Sequence, residues 1–179
     1  MGRYARGDAA AFERLYRRHE MRAWRYIERS VGNRAIADEL MQEVWFAVAR
    51  QAPRYQPSAR FTTWLFTIAH NRIIDWARKI RPQTSLECLH HEAGSVVMQL
   101  AADPSSGPLA AAVAHEQSSA LAEALAELPV EQRDAFLMQI EGDLSVEEIA
   151  AVAGVSFETS KSRLRYARMK LRELLQEHA

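Results

Sequence analysis

The residues best suited to chemistry lie between Tyr55 and Lys79, where aromatic, amide and cationic side chains occur together. Aromatic rings stack on unpaired bases, an Asn amide both donates to and accepts from a base edge, and cations attract phosphates. Trp64 and Asn71 supply the first two kinds of group. The cations are Arg60, Arg72, Arg78 and Lys79. The stretch therefore predicts a surface for nucleic acid whose bases have left the stack.

The same stretch also has the pattern of an ordinary buried helix. From Phe61 onward, apolar residues recur at helical spacing with no Gly or Pro, which predicts a helix with a wide buried face. We assign to that core Phe61, Leu65, Phe66, Ile68 and Ile73. The remaining polar strip carries Thr63, Thr67, His70, Asn71 and Arg78. For Trp64 and Asn71, packing in the core and contact with a base are equally open interpretations.

Charge is segregated along the chain, although Lys and Arg together balance Asp and Glu at 23 each. Residues 1–80 contain fifteen Lys or Arg against eight Asp or Glu, and residues 81–142 contain two against nine. Residues 143–179 contain six of each. The basic N-terminal part predicts a polyanionic partner, which the net charge alone does not.

Composition also narrows the class of protein. With Cys88 as the only cysteine, no internal disulfide is possible, and the sequence contains no secretory segment and no apolar run long enough to span a bilayer. We expect a cytoplasmic protein without membrane insertion. No nucleophile and base, Gly-rich phosphate loop or carboxylate pair is placed for catalysis, so we expect neither an enzyme nor a cofactor.

Two helices are predicted before the aromatic stretch. Asp8 is a candidate N-cap for a helix that runs to Val31 and stops at Gly32, with an arginine-rich surface interpreted as solvated. The next helix places an apolar stripe opposite an acidic face. An exposed patch for a partner helix could be formed there by Asp38, Glu39, Leu40, Met41, Gln42, Glu43 and Phe46. From spacing alone, a merely solvated helix face is the favoured interpretation.

Helical periodicity fails between residues 82 and 117, which contain Pro82, Gly94 and the run Asp103 to Pro108. This composition predicts an acidic, flexible linker. Within it, Cys88, His90 and His91 form a small cluster that suggests a metal or redox sensor, but a firm metal site needs a fourth ligand. We predict no metal site.

Helix-ending and helix-capping residues divide the C-terminal part into a series of helices. Pro129 and Gly142 end two of them, Ser145 and Glu148 form a capping box, and a turn at Gly154 precedes a long last helix. A short helix followed by a glycine turn and a second helix is the helix-turn-helix pattern. The outer face of the last helix carries Glu158, Lys161, Ser162, Arg165, Arg168 and Arg172. A cationic face at the start of such a helix favours reading of the major groove.

The sequence therefore predicts an all-α fold with two helical domains joined by a flexible linker, the second with a helix-turn-helix. We place the N-terminal domain at residues 1–81, the linker at residues 82–117 and the C-terminal domain at residues 118–179.

Four stretches, in order and over nearly the whole chain, resemble the extracytoplasmic-function (ECF) group of bacterial sigma factors. FERLYRRH at residues 12–19 is similar to the first helix of that family, and DELMQEVWFAVAR at residues 38–50 to its polymerase-clamp-binding helix. FTTWLFTIAHNRIIDWARK at residues 61–79 is similar to its promoter-melting element. Residues 127–174, from ELPVEQRDAF to KLREL, resemble its domain that reads the minus-thirty-five element.

The resemblance implies a role for each candidate site. The patch with Asp38, Glu39, Leu40, Gln42, Glu43 and Phe46 would bind the clamp region of the largest subunit of core RNA polymerase. The minus-ten element would be held by Tyr55, Gln56, Ser58, Arg60, Trp64, Asn71 and Arg72. The minus-thirty-five element would be read by Lys161, Ser162, Arg165 and Tyr166, with Arg163 and Arg168 on phosphates. Glu158, which departs from the family pattern, either joins this site by accepting from a cytosine amino group or only favours the helix N-terminus. It also implies contact with the beta-subunit flap and an anti-sigma factor.

Two departures from the family pattern affect these sites. Gln56, Pro57 and Ser58 stand where the family often has an Arg-Gly-Asp-like loop, which changes the minus-ten pocket. Glu158, Thr159 and Ser160 stand where it usually has Gly-Thr-Val, so Ser160 replaces a buried aliphatic side chain.

The sequence thus predicts a sigma factor that binds core polymerase, directs it to promoters and promotes DNA opening. A stand-alone helix-turn-helix regulator that binds duplex DNA through the last helix is the alternative. Association with polymerase distinguishes the two.

Overall fold

Helices account for the regular structure in a computed structural model, which describes residues 1–56, 59–80 and 119–177. The α-helices of that part are α1 (Ala9–Val31), α2 (Arg34–Gln51), α3 (Phe61–Ile80), α4 (119–126), α5 (Val130–Gly142), α6 (Val146–Ala153) and α7 (Phe157–Glu177). Short 3-10 helices occupy Tyr4–Arg6 and Ala52–Arg54. The all-α prediction is confirmed. The predicted linker, including Cys88, His90 and His91, lies outside the described residues.

Local hydrogen bonds and a glycine set both ends of α1 and the start of α2. The Asp8 carboxylate accepts a hydrogen bond from the Ala11 N–H at 3.0 Å, and Gly32 ends α1 in the left-handed conformation at φ 67°. Asn33 caps α2 by accepting from the Ile36 N–H at 3.2 Å. The three helices pack on one another around Tyr26, Ile27, Val44, Val48, Leu65 and Phe66.

The C-terminal helices form the predicted helix-turn-helix. The Ser145 hydroxyl accepts from the Glu148 N–H while the Glu148 carboxylate accepts from the Ser145 N–H, which closes the predicted capping box at the start of α6. Gly154 then turns the chain in the left-handed conformation before α7. The helix predicted to end at Pro129 forms as α4 but stops earlier, at residue 126. Packed between these helices are Leu128, Leu137, Met138, Ile149, Leu164 and Leu171.

The two groups of helices pack against each other in one apolar core. Helix α5 lies on α1, and α6 lies on α3. The approach is close at Gly142, where an added Cβ would come within 3.1 Å of the Phe66 ring. Separate domains were expected from the sequence, and their boundaries stay a prediction; the structure adds an extensive contact between the two helix groups.

Candidate nucleic-acid and polymerase interfaces

An aromatic cluster stands at the N-terminal end of α3. The Trp64 ring lies 4.9 Å from Tyr55 and 5.8 Å from Phe61, measured between ring centroids, and His19 lies 5.2 Å from Phe61. Burial and the nearby Arg18 and Arg22 lower the pKa of His19, so the imidazole is held toward its neutral form. Tyr55 and Trp64 are half-buried. Trp64 therefore packs within the cluster and still presents part of its surface to solvent.

The polar strip predicted along α3 divides into a covered part and an open part. The Thr63 hydroxyl donates to the Glu148 carboxylate, Thr67 donates to the Thr63 carbonyl at 2.8 Å, and His70 lies 3.2 Å from the Asp134 carboxylate. Asn71 is exposed, and so is Arg78. The strip is therefore covered by α5 and α6 at Thr63 and His70 and open to solvent at Asn71 and Arg78.

The other candidates for the minus-ten element lie around this cluster. Gln56 and Arg60 are exposed, whereas Ser58 lies outside the described residues. Arg60 donates to the Asp143 carbonyl at 3.0 Å and to the Asp143 carboxylate at 3.2 Å. Arg72 pairs with Glu43 of α2 at 3.8 Å, and this pair links the candidate DNA and polymerase surfaces.

Helix α2 presents an acidic face with one large apolar side chain. Phe46 is 72% exposed, and four exposed polar residues flank it: Asp38, Glu39, Gln42 and Glu43. Asp38 is held in place by the Trp24 indole N–H, which donates to it at 2.7 Å. An exposed aromatic ring among carboxylates is suited to docking on a basic or apolar partner helix. We call these five residues the α2 patch.

Leu40 does not belong to this exposed surface. Its side chain is only 5% exposed and packs in the core with Met41 and Val44. The expectation that Leu40 serves as an exposed anchor is therefore corrected, since Leu40 falls in the i, i+4 series that faces α1 and α3.

Helix α7 presents a cationic outer face near its start. Its exposed candidates are Glu158, Lys161, Ser162, Arg165, Tyr166 and Arg168, while Arg163 is half-buried. The Arg165 guanidinium lies 4.8 Å from the Tyr166 ring centroid and donates to the Tyr166 hydroxyl at 3.0 Å. Gln132 and Thr159 complete a shallow depression with four of these residues, and sequence reasoning missed both. An exposed cationic helix face of this kind fits the major groove.

Two arginines of α1, predicted to be solvated, are instead paired with a distant buried carboxylate. Arg25 and Arg29 donate to Glu141 of α5 at 2.9 and 2.8 Å, and the side chains of Arg29 and Glu141 are 10% and 4% exposed. The sequence separation exceeds one hundred residues, so local spacing gives no signal for this contact.

Neither a metal centre nor a membrane span is visible in the part of the chain that the structure describes. Among residues 1–56, 59–80 and 119–177, no three His, Cys, Asp or Glu side chains come together as metal ligands. No helix within these same ranges is long and apolar enough to cross a bilayer.

Comparison with known proteins covers both groups of helices. The Sigma-70 region 2 model matches residues 15–82, and the Sigma-70, region 4 model matches residues 118–171. The RNA polymerase sigma factor CarQ of Myxococcus xanthus is 33% identical over 177 residues, which are 99% of this chain and 96% of CarQ. The ECF RNA polymerase sigma factor RpoE of Cereibacter sphaeroides is 34% identical over 93% of this chain and 87% of its own length.

Two solved structures resemble the chain over nearly its full length. CnrH, in complex with the cytosolic domain of CnrY, superposes with a TM-score of 0.66 at 25% identity, covering 98% of this chain and 94% of CnrH. The sigma factor RpoE, in complex with the anti-sigma factor NepR from Bartonella quintana, superposes with a TM-score of 0.72 at 22% identity. That likeness covers 93% of this chain and 97% of the RpoE chain and supports the fold.

Proposed function

The chain belongs to the ECF RNA polymerase sigma factors and directs RNA polymerase to promoters, and from this premise we propose how its surfaces divide that work. Region 2 comprises α1 to α3, and region 4 comprises α4 to α7. The presence of both region 2 and region 4 in one chain is the main support for its assignment as a sigma factor. A stand-alone helix-turn-helix regulator is not favoured, because such a protein has no use for region 2.

We propose that the α2 patch binds core RNA polymerase at the clamp region of its largest subunit. The support is the 72% exposed ring of Phe46, which is costly to leave in water, together with the carboxylates around it. An apolar anchor with a charged rim binds through the anchor and gains orientation and speed from the rim. Leu40 contributes by holding α2 in place from the core.

We propose that the N-terminal part of α3 holds an opened minus-ten element. Trp64 and Tyr55 offer ring surface for an unstacked base, and the exposed amide of Asn71 offers a donor and an acceptor two turns further along α3. Arg60 and Arg72 supply positive charge for phosphates. Gln56 and Ser58 belong to the same proposed site through their place in the loop before α3.

We propose that the outer face of α7 reads the minus-thirty-five element. Lys161, Ser162, Arg165 and Tyr166 are exposed near the start of the helix and suit base edges, with Glu158 placed to accept from a cytosine amino group. Arg163 and Arg168 suit phosphates.

Further partners follow from the same family membership. The solved relative RpoE is bound to an anti-sigma factor, and we propose such a partner for this chain as well. We also propose contact between region 4 and the beta-subunit flap. The chain itself is proposed to perform no catalysis and to act in the cytoplasm, where polymerase and chromosome meet.

Run-off transcription with purified core polymerase and a promoter library tests the assignment. We expect transcripts from a defined subset of promoters only when chain and core polymerase are combined. Arg165→Ala should lower recognition at one or two minus-thirty-five positions by about 1 to 3 kcal/mol each, as for a lost base contact. Duplex binding by the chain alone, without polymerase-dependent transcripts, would support the stand-alone regulator.

A further inference from the structure

The Asp38 carboxylate of the α2 patch is hydrogen-bonded to a side chain of another helix. The Trp24 indole N–H of α1 donates to its Oδ1 atom at 2.7 Å, across a sequence separation of 14 residues. We propose that Trp24 is a positioning residue for polymerase binding, which orients Asp38 toward a basic side chain of core RNA polymerase. This inference rests on the function proposed above, because the α2 patch is the proposed polymerase site.

Trp24 is itself held firmly in place. Its ring is half-buried and packs against the core, and the adjacent Ala23 is completely buried. The Arg34 guanidinium lies 5.7 Å from the centroid of the Trp24 ring, which is close enough for a cation–π contact. Because packing and a cation both fix the ring, its N–H points in one direction. The donor that Asp38 meets is therefore preorganised.

The same arrangement preserves the negative charge of Asp38. Arg34 precedes Asp38 by four residues on α2, a spacing at which Arg and Asp side chains can form an ion pair. Among the residues that the structure describes, Arg34 instead contacts the Trp24 ring, and Asp38 forms no ion pair with a Lys or Arg. The indole is neutral and only donates, so it fixes the carboxylate without compensating its charge.

Asp38 also keeps room for a second partner. Its side chain is exposed, and within the described ranges the bond at Oδ1 is its only hydrogen bond. A carboxylate has acceptor positions on both oxygens. Oδ2 can therefore accept from a Lys or Arg of a partner while Oδ1 stays bound to Trp24. Since the carboxylate is already oriented, less side-chain freedom is lost when the partner binds.

Asp38 and Phe46 mark the two ends of the proposed interface. With Gln42 between them, they follow at i, i+4 and i+8 on one side of α2. At a rise of 1.5 Å per residue, the charge and the ring lie about 12 Å apart along the helix axis. The partner that fits is a helix whose basic side chain lies about two turns from its apolar contact with Phe46. Two fixed points of different chemistry set the register of such a helix on α2.

Equilibrium titration of core polymerase with the labelled full chain tests the role of Trp24. Trp24→Phe keeps an aromatic ring and removes the indole N–H. We expect this variant to bind about 2- to 10-fold more weakly than the wild type, as for the cost of ordering one side chain on binding. Trp76→Phe on α3 is the matched control, because Trp76 is also half-buried and lies outside the α2 patch. It should bind like the wild type, and circular dichroism shows whether both variants are folded.

A double-mutant cycle separates positioning from a general effect on the fold. Asp38→Ala should weaken binding, and Trp24→Phe added to Asp38→Ala should weaken it no further, since Trp24 acts through that carboxylate. The loss caused by Trp24→Phe should also shrink as NaCl rises, because salt screens the attraction between Asp38 and a cation. Additive losses in the cycle, or a loss that is independent of salt, would overturn the positioning role.

The hydrogen bond itself can be measured without polymerase. Nuclear magnetic resonance of the full chain with isotope-labelled tryptophan gives one indole N–H signal for each ring, and the signal that disappears in Trp24→Phe belongs to Trp24. Asp38→Ala should speed the solvent exchange of that N–H and leave the Trp76 indole unchanged. Equal exchange of the Trp24 N–H in the wild type and in Asp38→Ala would show that the bond does not form in solution, and the proposal would be wrong.

Failure of the positioning role and failure of the proposed function give different results. If the wild type binds core polymerase and Trp24→Phe binds equally well, only the role of Trp24 is wrong. If Asp38→Ala and Phe46→Ala both bind like the wild type, the α2 patch is not the interface and the positioning role falls with it. If neither the wild type nor Trp76→Phe binds polymerase at all, the proposed function itself fails.

Discussion

The hydroxyl of Ser160 is completely buried in region 4 and makes no hydrogen bond to any residue that the structure describes. Burying a hydroxyl without a partner costs about 1 to 3 kcal/mol. We therefore expect Ser160→Ala to raise the free energy of unfolding by about 1 kcal/mol, since methyl replaces a desolvated polar group. Urea titration followed by circular dichroism measures this change.

The matched control for Ser160 is Ser162 on the same helix. Ser162 is exposed, so Ser162→Ala changes the free energy of unfolding only through helix propensity and should stay within about 0.5 kcal/mol. Equal effects at the two positions would show that the Ser160 hydroxyl finds a partner in solution.

Substitution of Asn71 tests whether a single side chain of α3 is needed for promoter opening. Its amide is exposed on α3 and can bond a base only after the base leaves the stack. We expect Asn71→Ala holoenzyme to bind duplex promoter normally, transcribe poorly and recover on a template whose minus-ten region is already unpaired. Permanganate footprinting should show fewer opened thymines.

Asp75→Ala is the control for Asn71, because Asp75 is exposed one turn further along α3. It should open promoters at least as well as the wild type. Asn71→Ala that opens linear promoter DNA normally, or that fails equally on the unpaired template, would make Asn71 an ordinary surface residue.

At the residue scale, the sequence predicted most core positions but not every surface position. Helical spacing placed Leu65, Phe66 and Ile68 in the core, and all three are buried. The same reasoning treated Arg25 and Arg29 as solvated, because the carboxylate that binds them comes from a helix more than one hundred residues away. Helical spacing shows on which face of a helix a residue lies. Only the tertiary fold shows which other element covers that face.

At the scale of the element, the two faces of α2 differ in burial. We therefore expect opposite effects on binding and stability when a large apolar residue is removed from each face. Phe46→Ala should leave the free energy of unfolding within about 0.5 kcal/mol and weaken polymerase binding by about 2 kcal/mol, as for an exposed anchor. Leu40→Ala should instead cost about 2 to 5 kcal/mol of stability, because it empties core volume.

Titration of labelled chain with core polymerase, alongside urea unfolding, separates the two effects. Met21→Ala on α1 is the control, since Met21 is exposed and lies outside the α2 patch. A Phe46→Ala chain that is folded and binds polymerase like the Met21→Ala chain would remove the α2 patch from the proposed interface.

Element boundaries were predictable wherever a side chain or glycine fixes them. Asp8, the Ser145 and Glu148 capping box and the left-handed Gly32 and Gly154 all stand where local chemistry places them. Each of these signals lies within a few residues of the boundary that it sets. Contacts between elements carry no such local signal, and for this reason the sequence did not indicate that α5 and α6 cover Thr63 and His70.

At the scale of the whole molecule, segregated charge was only an indirect sign of the contact between the two helix groups. Segregated charge predicted a polyanionic partner for the N-terminal part, and the structure adds an acidic face of the same chain on that part. The two occupants share one chemistry, because carboxylates and phosphates both attract arginine. Carboxylates of this chain and phosphates of a partner therefore compete for the same arginines. The sequence alone does not show which of the two these arginines bind.

Tyr26 links this contact between the helix groups to pH. Burial, and then the Asp134 carboxylate beside it, raise the pKa of the Tyr26 phenol well above its ordinary value. Below pH 10 the phenol is neutral in both folded and unfolded chains. Above pH 10 the unfolded chain ionises while the folded chain does not, so ionisation favours unfolding and stability falls as pH rises.

We therefore expect the free energy of unfolding to fall above pH 10 by about 1.4 kcal/mol per pH unit through this single group. Urea titrations at pH 8, 10 and 11 measure the fall, with absorbance near 295 nm reporting phenolate. Tyr26→Phe should be less stable at pH 8, because it loses the bond to Asp134, yet lose less stability between pH 10 and pH 11. Tyr166→Phe, at an exposed position, should keep the wild-type slope. If Tyr26→Phe also keeps that slope, the phenol is not held neutral between α1 and α5, and α5 does not stay closed on α1 in solution.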